Sequence, residues 1–289
     1  MSPSLPNLWR ERLLISLAPG QLTWVRLNGG LRGLVQPEAG AKRIVPVDAG
    51  YGARAWDGVI HALRTEAAQW QNDPIAVRIV LSNHFVRYAL VPSSDSVSAG
   101  DGELALARFH FAKVHGEASR DWNIRLSPAA SGSSGATRLA SAVDNALIDA
   151  LQQSFPRERR PRLASIQPLL MSVFNHAGSR TIPAKGAWFI MAEADRACVA
   201  LHNGKSWQAV QNVKGQFADP EAWAGLVERV RWSIQLDSVP DTILVHTIPA
   251  LSQQNRTFGG WKIMGLQTRW PSGTQSTRDG IYTAALSAA

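Results

Sequence analysis

The sequence predicts an α/β protein built from two copies of one β-β-β-α-β plan, with a small α+β insertion in the first copy. Three observations predict it. Glu11–Val35 reads as three short strands broken at Pro19-Gly20 and at Asn28-Gly29-Gly30, with apolar residues alternating through Leu13, Ile15 and Leu17, then Leu22, Trp24 and Leu27. Gly186–Val213 repeats that layout, with turns at Ala194-Asp195-Arg196 and Asn203-Gly204. Each meander is then followed, after a loop, by a helical pattern and a strand. Successive side chains of a strand face opposite sides, so period two with turn residues between runs marks a chain of hairpins.

Along the chain, Met1–Arg10 is a loose lead-in, and Gln36–Ala53 is Gly/Pro-rich and irregular. Trp56–Trp70 is a helix, because Val59, Ile60, Leu63, Ala67 and Trp70 share one face and Asn72-Asp73-Pro74 stops it. Ile75–Pro92 is the strongest β segment: a buried strand, a turn at Ser82-Asn83-His84, and a second strand ending at Pro92. An insertion over 93–160 follows, with a polar linker (Ser93–Gly102), a helix (Glu103–His115), strands at Asp121–Ser127 and Thr137–Ala142, and a helix at Asp144–Phe155. The first helix points Leu104, Ala107, Phe111 and Val114 inward. The loop Pro128–Ala136 holds GSSG without a following Lys-Ser/Thr, which reads as a solvated hairpin loop and not as a phosphate cradle.

Arg162–Asn175 returns as a strand turning into a helix at Pro168, and Ser179–Lys185 is hinge-like. After the second meander, Asp219 caps a helix over Glu221–Gln235, with Pro220 at its first position. Strands at Asp241–Ile248 and Trp261–Leu266, a polar loop at Pro271–Gly280 and a short helix at Ile281–Ala289 complete the chain. The expected lobes are 1–178, including the insertion, and 179–289.

Composition removes several function classes. With 45% hydrophobic and 18% charged residues the chain can build a globular core, and no apolar run approaches the roughly 20 residues of a membrane span. The N-terminus lacks the order of a signal peptide. The single cysteine, Cys198, excludes an internal disulfide and reads as a buried thiol in a strand. His110 and His115 are not spaced as a helical zinc pair, and His61 and His84 have no local catalytic partners. The net charge of +8 is mostly arginine, densest at Arg157, Arg159, Arg160 and Arg162. Without interleaved aromatics this cluster does not read as a nucleic-acid surface. It reads as a solvated linker, with anionic headgroups or an acidic partner as the alternative.

The duplicated plan with its helix-strand-strand-helix insertion resembles the actin-like (ribonuclease H-like) fold. Within it, the insertion resembles the bacterial branch of the cell-division protein FtsA and the pilus protein PilM, with the cytoplasmic domains of GspL and MshI nearby. HFVRYALVP at His84–Pro92 looks like the strand-ending proline before the insertion, and SIQPLLMSVFN at Ser165–Asn175 like the segment rejoining the first lobe. The chain ends without a membrane span, as expected of a PilM-like subunit rather than a complete GspL or MshI chain, and a piece of either would look the same.

In active members of that fold, an Asp and a Gly-containing turn in the first meander serve the metal and cradle phosphate. The matching stretch, Ser16–Gln21, has no Asp, and Pro19 removes an amide donor. The second meander offers Glu193 and Asp195 but no glycine, and a Gly pair arrives only at Gly259-Gly260. Were nucleotide to bind, Gly20, Gln21, Glu193 and Asp195 are the candidates, with Asp48 a further carboxylate. The expectation is therefore no catalytic residue, no metal and no cofactor, with ATP and Mg²⁺ as the alternative. The resemblance implies a non-catalytic scaffold at the inner face of the bacterial inner membrane, on the assembly platform of a type IV pilus or type II secretion system. It would bind the cytoplasmic tail of a single-span membrane partner, reach the membrane through that partner, and bind no nucleic acid; a homodimer is a further expectation. Phe109 and Trp122 are the candidate partner contacts, weighed against packing the insertion's own core. The alternative function is a working actin-like ATP-binding protein or ATPase.

Overall fold

The computed structural model describes residues 11–28, 39–48, 50–92, 101–128, 137–177, 182–234, 239–248, 255–266, 272, 274 and 276–289. The expected lead-in, the Asn28-Gly29-Gly30 turn with the strand after it, the Ser93–Gly102 linker and the GSSG loop lie wholly or largely outside these residues.

The first meander is β1 (Arg12–Ala18), β2 (Gln21–Leu27) and β3 (Ala39–Pro46). Helix α1 (Asp57–Ala67) and β4 (Ala76–Leu81) follow, then β5 (Val86–Pro92), α2 (Asp101–His115), β6 (Trp122–Leu126), β7 (Thr137–Asp144) and α3 (Asn145–Ser154). The chain continues through β8 (Arg162–Pro168) and α4 (Leu169–Ala177). The second meander is β9 (Ala187–Glu193), β10 (Arg196–His202) and β11 (Trp207–Lys214), followed by α5 (Pro220–Ile234), β12 (Thr242–Thr247), β13 (Arg256–Phe258) and β14 (Trp261–Gly265). Short helices α6 (Ser276–Asp279) and α7 (Thr283–Leu286) end the chain.

The duplication is explicit in the sheets. One runs β3-β2-β1-β4-β8 and the other β11-β10-β9-β12-β14-β13. In each, the meander is antiparallel and its first strand pairs parallel with the strand after the helix, β1 with β4 and β9 with β12. A third sheet, β5-β7-β6, belongs to the insertion.

The chain divides into two compact units: Met1–Phe85, Asp149–His176 and Thr268–Ala289 in one, Val86–Ile148 and Ala177–Gln267 in the other. This differs from lobes drawn at 178/179. The insertion's sheet starts at Val86, because β5 pairs with β7 over its whole length, and Asn212 Nδ2 on β11 donates to the Val86 carbonyl at 3.0 Å. The C-terminal segment groups with the first sheet: α7 packs on β1, β2 and β4, Arg78 donates to the Ala288 carbonyl at 2.7 Å, and Ser287 Oγ to Ser172 Oγ at 2.8 Å.

In the first unit, β1 buries Leu13, Leu14, Ile15 and Leu17, so both of its faces are covered. The Trp24 ring meets Trp70 edge to face at 5.3 Å, and Trp24 Nε1 donates to Glu66 Oε2 at 2.8 Å. Arg43 donates to Glu66 Oε1 at 2.9 Å, so one buried carboxylate joins β2, β3 and α1. Lys42 pairs with the buried Asp279 at 2.6 Å. Strand β3 corrects the expectation that 36–53 is irregular. Its exposed Gly40, Ala41, Arg43 and Ile44 carry no inward apolar alternation, and the strand is held at the sheet edge by its register with β2.

The second sheet is largely apolar on both faces, with His202, Thr242 and His246 as its buried polar side chains. Trp188, Ile190, Val199 and Leu201 face the α5 side chains Trp223, Leu226, Val227 and Val230, while Phe189, Met191, Cys198 and Leu244 alternate with them and are buried too. Asp219 caps α5 as expected, its Oδ1 accepting the Ala222 N–H at 2.8 Å. Strand β13 went unseen in the sequence because it has only three residues, all exposed. Gly259-Gly260, both left-handed, turn it into β14.

Candidate functional site

The two meander turns are where the fold's phosphate chemistry is expected, and each is described within its own unit. In the first, β1 and β2 stay in register down to Ala18 opposite Gln21, leaving Pro19-Gly20 as the turn. Gly20 is exposed and is not among the left-handed glycines, and a Cβ built on it would meet nothing within 4 Å. A glycine in that setting is not required by close approach or by backbone conformation. The Gly20 carbonyl accepts the Val47 N–H at 3.0 Å, and Gln21 pairs with Ala18 and Pro46. This turn carries one fewer N–H, at Pro19, and no carboxylate.

In the second, Ala194-Asp195 turns β9 into β10, and Glu193 faces Arg196 in the ladder. Asp195 is exposed, Glu193 is half-buried, and the Asp195 carbonyl accepts the Gly215 N–H at 2.9 Å. Burial first, and the charge of Glu193 second, raise the Cys198 thiol well above its ordinary range, so Cys198 is an inert core thiol. Asp48 serves a local turn before α1, its Oδ1 accepting the Gly50 N–H at 2.8 Å. Gly259-Gly260 forms the β13–β14 hairpin and not a turn directly after β12. Among the described residues no group of three or more His, Cys, Asp or Glu side chains is placed to hold a metal.

His84 meets Ser82: its Nδ1 lies 2.8 Å from Ser82 Oγ, which also accepts the His84 N–H at 3.2 Å. Both contacts are two residues apart in sequence and define the tight turn predicted there.

The insertion supplies a different kind of surface. Its core is Val91, Ala107, Phe111, Ile124, Ala140 and Ala142, with Trp122 packed against it. Trp122 is half-buried, edge-on to Phe111 at 5.9 Å and 4.9 Å from the His115 ring. That geometry is the core-packing alternative for Trp122. Phe109 is 62% exposed. Val114, expected inward, is 74% exposed, because the helix turns His115 toward Phe111 and Trp122 instead. Desolvation, and then the charge of Arg87, lower the His115 pKa. Ala105, Phe109 and Ala112 form a second apolar stripe, opposite the core face. The signal for it lies in ELALARFHFAKVH, where Ala105, Phe109 and Ala112 recur at i, i+4 and i+7, apart from the face of Leu104, Ala107 and Phe111.

No helix among the described residues is long and apolar enough to cross a membrane.

No family model matches the sequence, and no curated protein matches it. Solved structures do. The chain superposes on a PilM–PilN type IV pilus biogenesis complex with a TM-score of 0.65 and 13% identity, covering 96% of this chain and 97% of that one. It is similar to the cytoplasmic domain of EpsL, an inner-membrane component of the type II secretion system of Vibrio cholerae (TM-score 0.52, 13% identity, 96% and 94% covered). It is also similar to a protein of actin-like ATPase fold and unknown function from Bacteroides thetaiotaomicron (TM-score 0.55, 10% identity, 85% and 84% covered). With the duplicated sheets and the inserted third sheet, these matches establish that the chain has the actin-like ATPase fold.

Proposed function

We infer that the chain is a non-catalytic scaffold of a type IV pilus or type II secretion assembly platform, at the inner face of the inner membrane. The observation that carries this reading is the β1–β2 turn. It closes an in-register hairpin but offers Pro19 and an unconstrained Gly20 where phosphate binding calls for amide donors and a carboxylate. Fold alone does not carry function. The reading also draws on the near-complete coverage of the pilus and secretion structures. In this reading the chain binds the cytoplasmic tail of a single-span membrane partner, with Phe109 on α2 as the exposed aromatic anchor.

A working actin-like ATP-binding protein is the second reading. One observation favours it: Glu193 and Asp195 bracket the β9–β10 turn, where a phosphate-bound metal would require a carboxylate.

Calorimetric titration with Mg-ATP and with Mg-ADP separates the two. The scaffold reading expects no heat and no thermal shift at millimolar nucleotide. Micromolar binding that is lost in Glu193→Ala or Asp195→Ala overturns it in favour of the second.

A further inference from the structure

The arginine cluster singled out in the sequence is larger in space than along the chain. Arg64, on the last turn of α1, lies across a groove from Arg159 and Arg160, on the approach to β8. Arg157 and Arg162 flank them in the chain, and all five side chains are exposed. The groove has a volume of about 610 Å³ and its walls include Gln71, Gln153 and Glu158. Among the described residues none of the five arginines forms an ion pair. Arg64 reaches Gln153 Oε1, at 3.4 Å. Five arginines against Glu158 leave a local charge of +4, half of the chain's +8.

The backbone beneath is pinned. The Arg160 carbonyl accepts the Asn72 N–H at 3.2 Å, Arg159 N–H donates to the Pro156 carbonyl at 3.1 Å, and Arg162 N–H to the Ile75 carbonyl at 3.0 Å. The positive charges therefore sit on a fixed platform of the first unit.

We propose that this groove is a contact site for the phosphate headgroups of an anionic bilayer. Guanidinium groups present planar forks that match phosphate oxygens bidentately. The side chains at the groove's surface argue against a polypeptide occupant. Protein interfaces are anchored by large apolar side chains, and the exposed ones among the described residues (Ile44, Tyr51, Phe109, Val114, Trp232 and Phe258) all lie elsewhere. The groove's aromatic, Phe155, is 2% exposed. Headgroup binding needs no such anchor, since charge and hydrogen bonding suffice. The proposal rests on the first unit's charge and geometry and not on the pilus reading. It gives the chain a membrane contact of its own, independent of a partner.

Co-sedimentation of the full chain with vesicles tests it. Vesicles of phosphatidylglycerol and phosphatidylethanolamine are expected to retain the protein, and pure phosphatidylcholine vesicles are not. Each arginine at an anionic surface strengthens binding about fivefold, so R64Q/R157Q/R159Q should weaken retention about a hundredfold. The substituted side chains are exposed, so an unchanged thermal midpoint shows that the variant is folded. R229Q/R231Q removes two exposed arginines of α5 and should leave retention unchanged within about twofold. The proposal is overturned by no retention of the wild-type chain, by equal retention of both variants, or by a short glutamate peptide displacing the protein more effectively than an inositol phosphate of equal net charge. The last result makes the groove an acidic-peptide site. None of these outcomes depends on nucleotide binding or on capture of a membrane partner's tail.

Discussion

The two sheets share the order of five strands and an apolar core, and they differ in the polar contacts added to it. The first ties its edge to its helix and to the C-terminal segment with polar contacts: Trp24 and Arg43 on Glu66, Lys42 on Asp279, and Arg26 on Glu11 and Asp73. The second is a continuous apolar block from Trp188 to Trp223 and Trp261, whose ion pair Lys262–Asp241 lies on the surface. The difference teaches that a β-β-β-α-β lobe specifies strand order and leaves open what fills it. An apolar interior yields area-proportional stability, whereas a buried carboxylate yields little net energy but is costly to unpair.

The comparison can be broken at its strongest point first. Trp223 is 2% exposed, packs in the second core and donates through Nε1 to the Phe217 carbonyl at 2.7 Å. Trp223→Ala should destabilise by about 3–5 kcal/mol, read from chemical denaturation. A loss below about 1 kcal/mol would show that the second block is not the source of that unit's stability.

Glu66→Ala probes the first sheet in the same assay. It strands the buried Trp24 indole N–H and removes the acceptor of Arg43, for an expected cost of about 2–3 kcal/mol. Glu66→Gln keeps an acceptor and should recover at least half of that loss, whereas a Leu replacement should not.

Acid sharpens the contrast by acting on the second unit. His202 Nδ1 accepts the Gly204 N–H at 3.1 Å, and burial lowers its pKa below the ordinary imidazole value. Because the unfolded chain takes up the proton first, this stability is complete above a pH of about 6.5 and falls as the pH drops through that value toward the folded one. His115 acts in the same direction. A midpoint that falls between about pH 7.5 and 5, with a shallower fall in His202→Gln, is the expected result; an identical slope in the variant assigns the acid effect elsewhere.

The smallest effect on stability is expected at Phe109. Its side chain is mostly in water, so Phe109→Ala should change stability by less than about 0.5 kcal/mol while abolishing capture of a membrane partner's tail. Trp122→Ala should do the reverse, because its ring packs on Phe111 and His115. Loss of stability without loss of capture at Phe109 would move the partner surface off α2.

Much of the fold was legible because its signals are local. Alternation in LLISL and WFIMA, the turns at Pro19-Gly20 and Asn203-Gly204, and the Asp219-Pro220 cap each lie within a few residues. The two candidate turns, Pro19-Gly20 and Ala194-Asp195, were placed correctly for the same reason, since each is the tip of a hairpin. The side of α2 that stays exposed was less so, since Val114 and His115 are neighbours and only packing decides which turns inward.

By itself, then, the sequence determined β1 and β2 of the first meander, the whole second meander and the helices that follow them, because strand period, helix capping and turn preference act between near neighbours. Tertiary structure alone decided that β3 is a charged edge strand, that β5 belongs to the inserted sheet, and that the C-terminal helix α7 closes over the first sheet. It also decided that Arg64 lines one groove with Arg159 and Arg160, some ninety residues away in the chain. Such placements depend on which backbone edge is free to pair and which apolar face is still uncovered, and neither leaves a periodic trace in the sequence.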